Sequence, residues 1–378
     1  MTVGVLGGGQ LGRMIALAGY KLGQRFVFLD PGAESSAGHV GSLRVGAYDD
    51  EERLSELARK SDVVTYEFEN VPVGSARFLN ELVPVYPPPA ALEVSQDRLD
   101  EKQFFERLGI PTPPFAPVSS REELDAAVRH IGLPMVIKTR RFGYDGKGQM
   151  VLRTEADVAR AWEALGAASL IVEGLVPFER ELSILGVRGT TGETRFWPLV
   201  ENEHRDGVLR VSVPESDAWT PELQRRAEAH AARVMNALDY VGVLAIELFM
   251  SGDDLVANEM APRVHNSGHW TIEGAETSQF ENHVRAILGL PLGSTRMVGR
   301  SAMLNAIGKL PPRERVLAVE GAHLHAYGKD ASPGRKLGHV TIRAESREEL
   351  RARIEQLAPI VDPDAPGLPK ALPSLRRA

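Results

Sequence analysis

Short apolar runs alternating with amphipathic stretches mark the first 95 residues. Residues 3–6, 26–29 and 62–68 are strand-like runs, while 10–21 and 51–60 repeat apolar positions at helical spacing. The second of these helices is opened by Asp49 and Asp50, whose carboxylates can accept the first free helical N–H groups. This alternation, with its short joints, predicts a parallel sheet carrying helices on both faces. The stretch VPVYPPPAAL closes the unit, because consecutive prolines exclude helix and sheet interior alike.

Beyond it the pattern changes. A helix is predicted over 95–108, followed by the proline-rich GIPTPPFAPV. Ser119 and Ser120, with Glu122 and Glu123, form a capping box that starts another helix. LPMVIKT and MVLR read as strands on either side of the basic, glycine-rich RRFGYDGKGQ, a hairpin with an oversized tip. A helix over 155–165 leads to the strands SLIVEGLV and RELSILGVRG. A helix over 221–238 leads to a hairpin whose arms, GVLAIELFM and DLVANEMAP, meet at the turn SGDD. Strands at 322–327 and 339–343, a helix opened by Ser346 and a proline-rich tail expected along the surface complete the chain.

Composition narrows the possibilities. The 378 residues suffice for two or three domains, and 43% apolar with 25% charged residues is an ordinary globular balance. A net charge of −7 offers no broad basic face for nucleic acid. Local clusters such as Arg140–Arg141 and Arg335–Lys336 are then expected to meet a small anion. Without cysteine, disulfides, thiolate catalysis, zinc–thiolate sites and iron–sulfur clusters are excluded together. Neither a leader-like segment nor an apolar run near the ~20 residues that span a bilayer is present, so a cytoplasmic protein is expected.

Gly7, Gly9 and Gly12 have the G-x-G-x-x-G spacing behind a strand, with Asp30 ending the next one, as in dinucleotide-binding folds. The same turn serves equally as a tight strand–helix joint near another anion, with Gln10 and Arg13 placed for a phosphate. No hydride-transfer machinery follows it. A nucleotide set does. Lys138 ends an apolar strand, where an ammonium calls for an anion, although a strand-end lysine reaching solvent is the plainer alternative. Tyr144, Asp145, Lys147 and Gln149 are interleaved with Gly143, Gly146 and Gly148, whose N–H groups can converge on phosphate. This is not a Walker loop, and by itself it would pass for a flexible hairpin tip. Glu173 ends a strand and is followed by Gly174, Leu175 and Val176, an extended stretch able to meet an adenine edge; Glu181 lies within reach of ribose hydroxyls.

Glu247 and Glu259 each interrupt an apolar strand of the hairpin, and across a turn at 251–254 they can stand side by side on one face. Two such carboxylates repel unless a cation lies between them, and Mg²⁺ takes one or two carboxylates plus phosphate oxygens. Asn258 adds a further oxygen. Arg263, His265, Asn266 and His269 follow at once, a hydrogen-bonded loop or a surface for a second, anionic substrate.

The stretches GVLGGGQLGRM, TYEFENVP, KTRRFGYDGKGQ, VEGLVPFERELS, NEMAPRVHNSGHWT and HAYGKDASPGRKLGHV together resemble the ATP-grasp superfamily, and within it the ligases that carboxylate aminoimidazole ribonucleotide in purine biosynthesis. The resemblance covers nearly the whole chain. It implies an α/β ATP-grasp fold with a Rossmann-like pre-ATP-grasp domain (1–95), a small lid domain (96–175) and a large domain with a strand-rich C-terminal subdomain (176–378). The first domain in this family binds no dinucleotide. ATP contacts are implied for Arg98, Lys138, residues 143–149, residues 173–176, Glu181, His204, Asn258 and Glu259, with Mg²⁺ on Glu247 and Glu259. The implied reaction joins bicarbonate to ATP as carboxyphosphate and passes CO₂ to the ribonucleotide amine. Tyr144 and Asp145 would reach the substrate from a closing loop, Asp145 orienting or deprotonating the amine, while Arg263 and His265 flank bicarbonate. Gln10, Leu11, Glu67 and Asn266 would hold the ribonucleotide, and Lys336 with Arg343 its 5′-phosphate. A homodimer and delivery of product to the pathway's mutase are also implied. The alternatives are a formate-activating ATP-grasp transformylase, a nicotinamide dehydrogenase and an inactive nucleotide-binding regulator.

Overall fold

The computed structural model describes residues 1–143, 147–217 and 219–363. Three sheets organise them. The first is parallel, in the spatial order Ser42–Val45, Arg25–Asp30, Thr2–Leu6, Val63–Tyr66. Its strand Ser42–Val45 escapes the apolar pattern because it is an exposed edge, so the expected third strand is the fourth. The helix Glu51–Arg59 begins as the sequence predicts, with Asp50 accepting the N–H groups of Glu52 and Arg53.

One expectation is corrected here. VPVYPPPAAL does not exclude helix, because Pro89 occupies the first turn of the helix Pro89–Ser95. At that position the missing N–H has no intrahelical partner to lose. The next helix is therefore shorter than expected, Arg98–Arg107 with Asp97 as its cap. The capping box before Arg121–Ile131 is also shifted. Ser120 accepts the Glu123 N–H, while the Glu123 carboxylate returns to Ser119 rather than Ser120.

A small antiparallel sheet, in the order Phe115–Val118, Leu170–Gly174, Met135–Thr139, Gln149–Leu152, forms the second unit. It has a core of its own, with Leu124, Ile137, Val158 and Val172 fully buried. The third sheet has nine strands lying between Arg180 and Ala344. Its strands Arg300–Ile307, Ala322–Ala326 and Lys336–Ala344 belong to the C-terminal segment, which therefore extends the large sheet. Phe280 and Val284 of the helix Gln279–Ile287 belong to one buried cluster with Ile15 and Phe28, so the first unit and the large sheet share one core. None of the helices among the described residues is long and apolar enough to cross a membrane.

The hairpin Gly242–Ser251 and Asp254–Ala261 lies at the edge of the large sheet. From the turn, Ser251 pairs with Asp254 and Leu248 with Ala257, a register that would put Asn258 opposite Glu247. A bulge at Asn258 intervenes, and Glu259 takes that place instead. Since side chains alternate faces along a strand, a regular hairpin would have turned the two carboxylates apart.

Candidate active site

A cleft of about 550 Å³ lies between the small sheet and the edge of the large one. It is lined by Arg98, Lys138, Gly143, Gln149, Glu173, Gly174, Leu175, Val176, Glu181, His204, Glu247, Asn258, Glu259, Arg263, His265, Asn266 and Lys336. Strand ends of both sheets and one helix bring together residues that are scattered along the sequence.

At the small-sheet side, Glu173 receives two buried ammonium groups, Lys138 at 3.1 Å and Lys102 at 3.3 Å. Burial alone would raise its pKa, but the two lysines hold it down to about 2. Burial also lowers Lys138, with Glu173 acting against it. On the opposite wall, Arg98 binds the Glu259 carboxylate at 2.8 Å and keeps it ionised despite burial. Glu247, directly across from Glu259, is pushed up by burial and by that neighbouring charge. His265 lies 3.3 Å from Glu247, and burial beside Arg263 lowers its imidazole to about 3, so it is a neutral partner. His204 is paired with Glu181. Burial opposes its charge, but Glu181 and the nearby carboxylates raise it to about 8.

Several buried polar atoms here have no partner among the described residues: Glu173 Oε1, Asn258 Oδ1, and both amide atoms of Asn266. Each is costly to leave unsatisfied, which marks the cleft as built for a polar ligand. The paired carboxylates and the unpartnered Asn258 oxygen fit Mg²⁺, a hard cation needing oxygen donors and the phosphates of its nucleotide.

Outside the cleft lining stand Lys147, which is exposed, Gly148, whose C=O accepts the Thr139 N–H at 2.8 Å, Gln10, Leu11, Glu67 and Arg343. Tyr144, Asp145 and Gly146 lie outside the described residues. Gln10 accepts a hydrogen bond from Lys329, and the Leu11 side chain belongs to the shared core. Glu67 accepts the N–H groups of Gly9 and, at 2.7 Å, of Gly12; Asp30 accepts that of Gly8 at 2.7 Å. The opening glycine turn is thus filled by the protein's own carboxylates. A Cβ at Gly7 or Gly9 would overlap Glu67, which is why glycine is needed there.

Arg140, which also lines the cleft, binds Asp97 through two bonds of 2.8 Å, and Arg141 adds a third at 3.0 Å. One further expectation is corrected. Lys336 and Arg343 do not converge on one phosphate, because seven residues of one strand separate them by about 20 Å. Arg343 instead approaches Glu345 at 3.4 Å.

Sequence reasoning missed Glu69, Glu101, Lys102 and Lys329. Glu69 pairs with the half-buried Arg263, and Glu101 accepts the Met260 N–H at 2.7 Å, its carboxyl raised to about 8 by burial and by Glu259. The available signal was the spacing of Arg98, Glu101 and Lys102, which share one helix face.

Residues 103–280 match the ATP-grasp domain model, residues 1–96 the ribonucleotide synthetase preATP-grasp domain, and residues 301–353 the phosphoribosylaminoimidazole carboxylase C-terminal domain. Fold and cleft therefore define an ATP-grasp ligase. The N5-carboxyaminoimidazole ribonucleotide synthase of Pseudomonas aeruginosa is 54% identical over 96% of this chain and 100% of its own length. The crystal structure of the Thermus thermophilus synthetase, 57% identical, superposes with a TM-score of 0.93 over 97% of this chain and 99% of that one. The Aspergillus clavatus synthase, solved with ADP and 5-aminoimidazole ribonucleotide, is 31% identical with a TM-score of 0.89, covering 96% of this chain and 98% of that one. The chain belongs to the N5-carboxyaminoimidazole ribonucleotide synthase family.

Proposed function

We propose that this enzyme carries out its family's reaction, the ATP-dependent carboxylation of 5-aminoimidazole ribonucleotide by bicarbonate in purine biosynthesis. A bicarbonate oxygen attacks the γ-phosphorus, the bond to ADP breaks, and carboxyphosphate forms. Its breakdown leaves phosphate and CO₂; the ribonucleotide's exocyclic nitrogen bonds to CO₂ and loses a proton. The observation that carries this reading is the cleft itself, which joins the Glu173 lysine pair to the Glu247–Glu259 carboxylate pair within one cavity.

In this reading Arg98, Lys138, Glu173, residues 174–176, Glu181, His204 and Asn258 bind ATP, with residues 143–149 over its phosphates. Glu247 and Glu259 would hold Mg²⁺, which neutralises phosphate charge during transfer. Arg263 and His265 position bicarbonate, and Asn266 offers an unpaired amide to the second substrate. Lys336 supplies a cation for the ribonucleotide phosphate from the C-terminal strands. Glu67, with Gln10, shapes the ribonucleotide side of the first unit. Asp145 takes or orients the amine proton, and full turnover by Asp145→Asn would remove that role. The units 1–95, 96–175 and 176–378 act as base, lid and catalytic body. A cytoplasmic homodimer delivering product to a mutase completes the proposal, and light scattering tests the dimer.

Labelled bicarbonate and labelled formate, each supplied with Mg-ATP and the ribonucleotide, test the substrate. Bicarbonate label in an acid-labile product supports the carboxylase; formate label in a stable product would replace it with a transformylase.

A further inference from the structure

The bulge at Asn258 decides whether Glu259 faces Glu247, yet nothing in the hairpin ladder supports it. Among the described residues the strand Asp254–Ala261 pairs only on its Gly242–Ser251 side, so its outer edge has no neighbouring strand where the register breaks. The helix Arg98–Arg107 and the chain after it supply partners for this edge. Pro111 C=O accepts the Ala257 N–H at 2.7 Å. Lys102 Nζ donates to Ala257 C=O at 3.2 Å and Asn258 C=O at 2.6 Å. Glu101 Oε1 accepts the Met260 N–H at 2.7 Å. Lys102 and Glu101 are 1% and 2% exposed, so both were buried at substantial desolvation cost. Lys102 also pairs with Glu173 at 3.3 Å, tying the bulge to the nucleotide wall.

We propose that Glu101 and Lys102 are positioning residues: their side chains replace a missing strand at the bulge and thereby fix the Glu259 carboxylate opposite Glu247. Glu101 lines the cleft, and the role assigned to both residues is to hold the backbone of the bulge. This inference rests on the reading of Glu247 and Glu259 as the Mg²⁺ site, and it concerns the backbone that aims one of them.

Calorimetric titration of the full chain with ADP, with and without Mg²⁺, tests it. In the wild type, Mg²⁺ should tighten ADP binding; its failure to do so would overturn the metal reading and this inference with it. Glu101→Leu, which removes the acceptor, should lose about tenfold of that Mg²⁺-dependent gain while Mg²⁺-free affinity stays within about twofold. Glu101→Gln keeps an acceptor oxygen and should retain the gain. Glu101→Met, which also lacks the acceptor, carries the same test should Glu101→Leu fail to fold, and it should show the same selective loss. A retained gain in both disrupting variants, a Glu101→Gln loss equal to that of Glu101→Leu, or a loss equal with and without Mg²⁺ would overturn the positioning role.

Discussion

Glu247 and Glu259 stand side by side at the sheet edge but differ in their neighbours: Arg98 compensates Glu259 at 2.8 Å, whereas Glu247 has neutral His265 at 3.3 Å, and burial with the Glu259 charge raises its carboxyl against the pull of His204 and Lys336. Removing one charge should therefore act oppositely on stability and on turnover. Glu247→Gln should raise the melting temperature of the nucleotide-free enzyme by about 2 °C, by relieving repulsion, and lower turnover at least about 100-fold. Thermal unfolding and phosphate release measure the two; a fall in both would show that Glu247 is chiefly a structural group. His204 gives a second residue-scale test. Its folded pKa is raised to about 8, so the stability it contributes is complete below the ordinary value near 6.5 and lost as pH rises through 8. The stability difference between wild type and His204→Asn, by urea unfolding, should accordingly shrink between about pH 6.5 and about pH 8.5. At this scale the sequence was informative about chemistry, since carboxylates in apolar strands and a lysine at a strand end are costly anomalies. It was silent on Glu69 and Lys102, whose partners lie 194 and 155 residues away.

At the scale of elements, the hairpin Gly242–Ser251 and Asp254–Ala261 shows how far pattern alone reaches. Both strands and their turn are visible in the apolar alternation, yet regular pairing would have put Asn258 opposite Glu247. The facing carboxylates exist through a bulge, and a bulge is set by tertiary partners that periodicity does not encode. The glycine turn teaches the complementary lesson. Gly7, Gly9 and Gly12 announce helix N–H groups seeking an anion, but spacing does not say whose anion it is, and Glu67 lies on a different strand end. Gly9→Ala should therefore destabilise the enzyme by about 2 kcal/mol through overlap with Glu67, measured by urea unfolding. An unchanged midpoint would mean that Glu67 moves freely aside. Proline was misjudged for a related reason: Pro89 is excluded from a helix interior but suits its first turn.

For the whole molecule, the separate core of the small sheet and the core shared by the other two units imply unequal responses to ligand. ADP binding should slow amide exchange in Met135–Thr139, Leu170–Gly174 and Asp254–Ala261, and leave Thr2–Leu6 unchanged, because only the former border the cleft. Uniform slowing throughout the chain would contradict a cleft-centred site. The order of units along the chain was legible from strand–helix rhythm, but the union of the C-terminal strands with the large sheet was not, since strand neighbours distant in sequence leave no local trace. The account's central claim is that this cleft couples ATP cleavage to carboxylation of an aminoimidazole ribonucleotide. Phosphate release from Mg-ATP and bicarbonate, with and without that ribonucleotide, tests it most directly. Turnover should rise at least about tenfold when the ribonucleotide is added, as expected where substrate binding completes the site; turnover indifferent to it would contradict the claim.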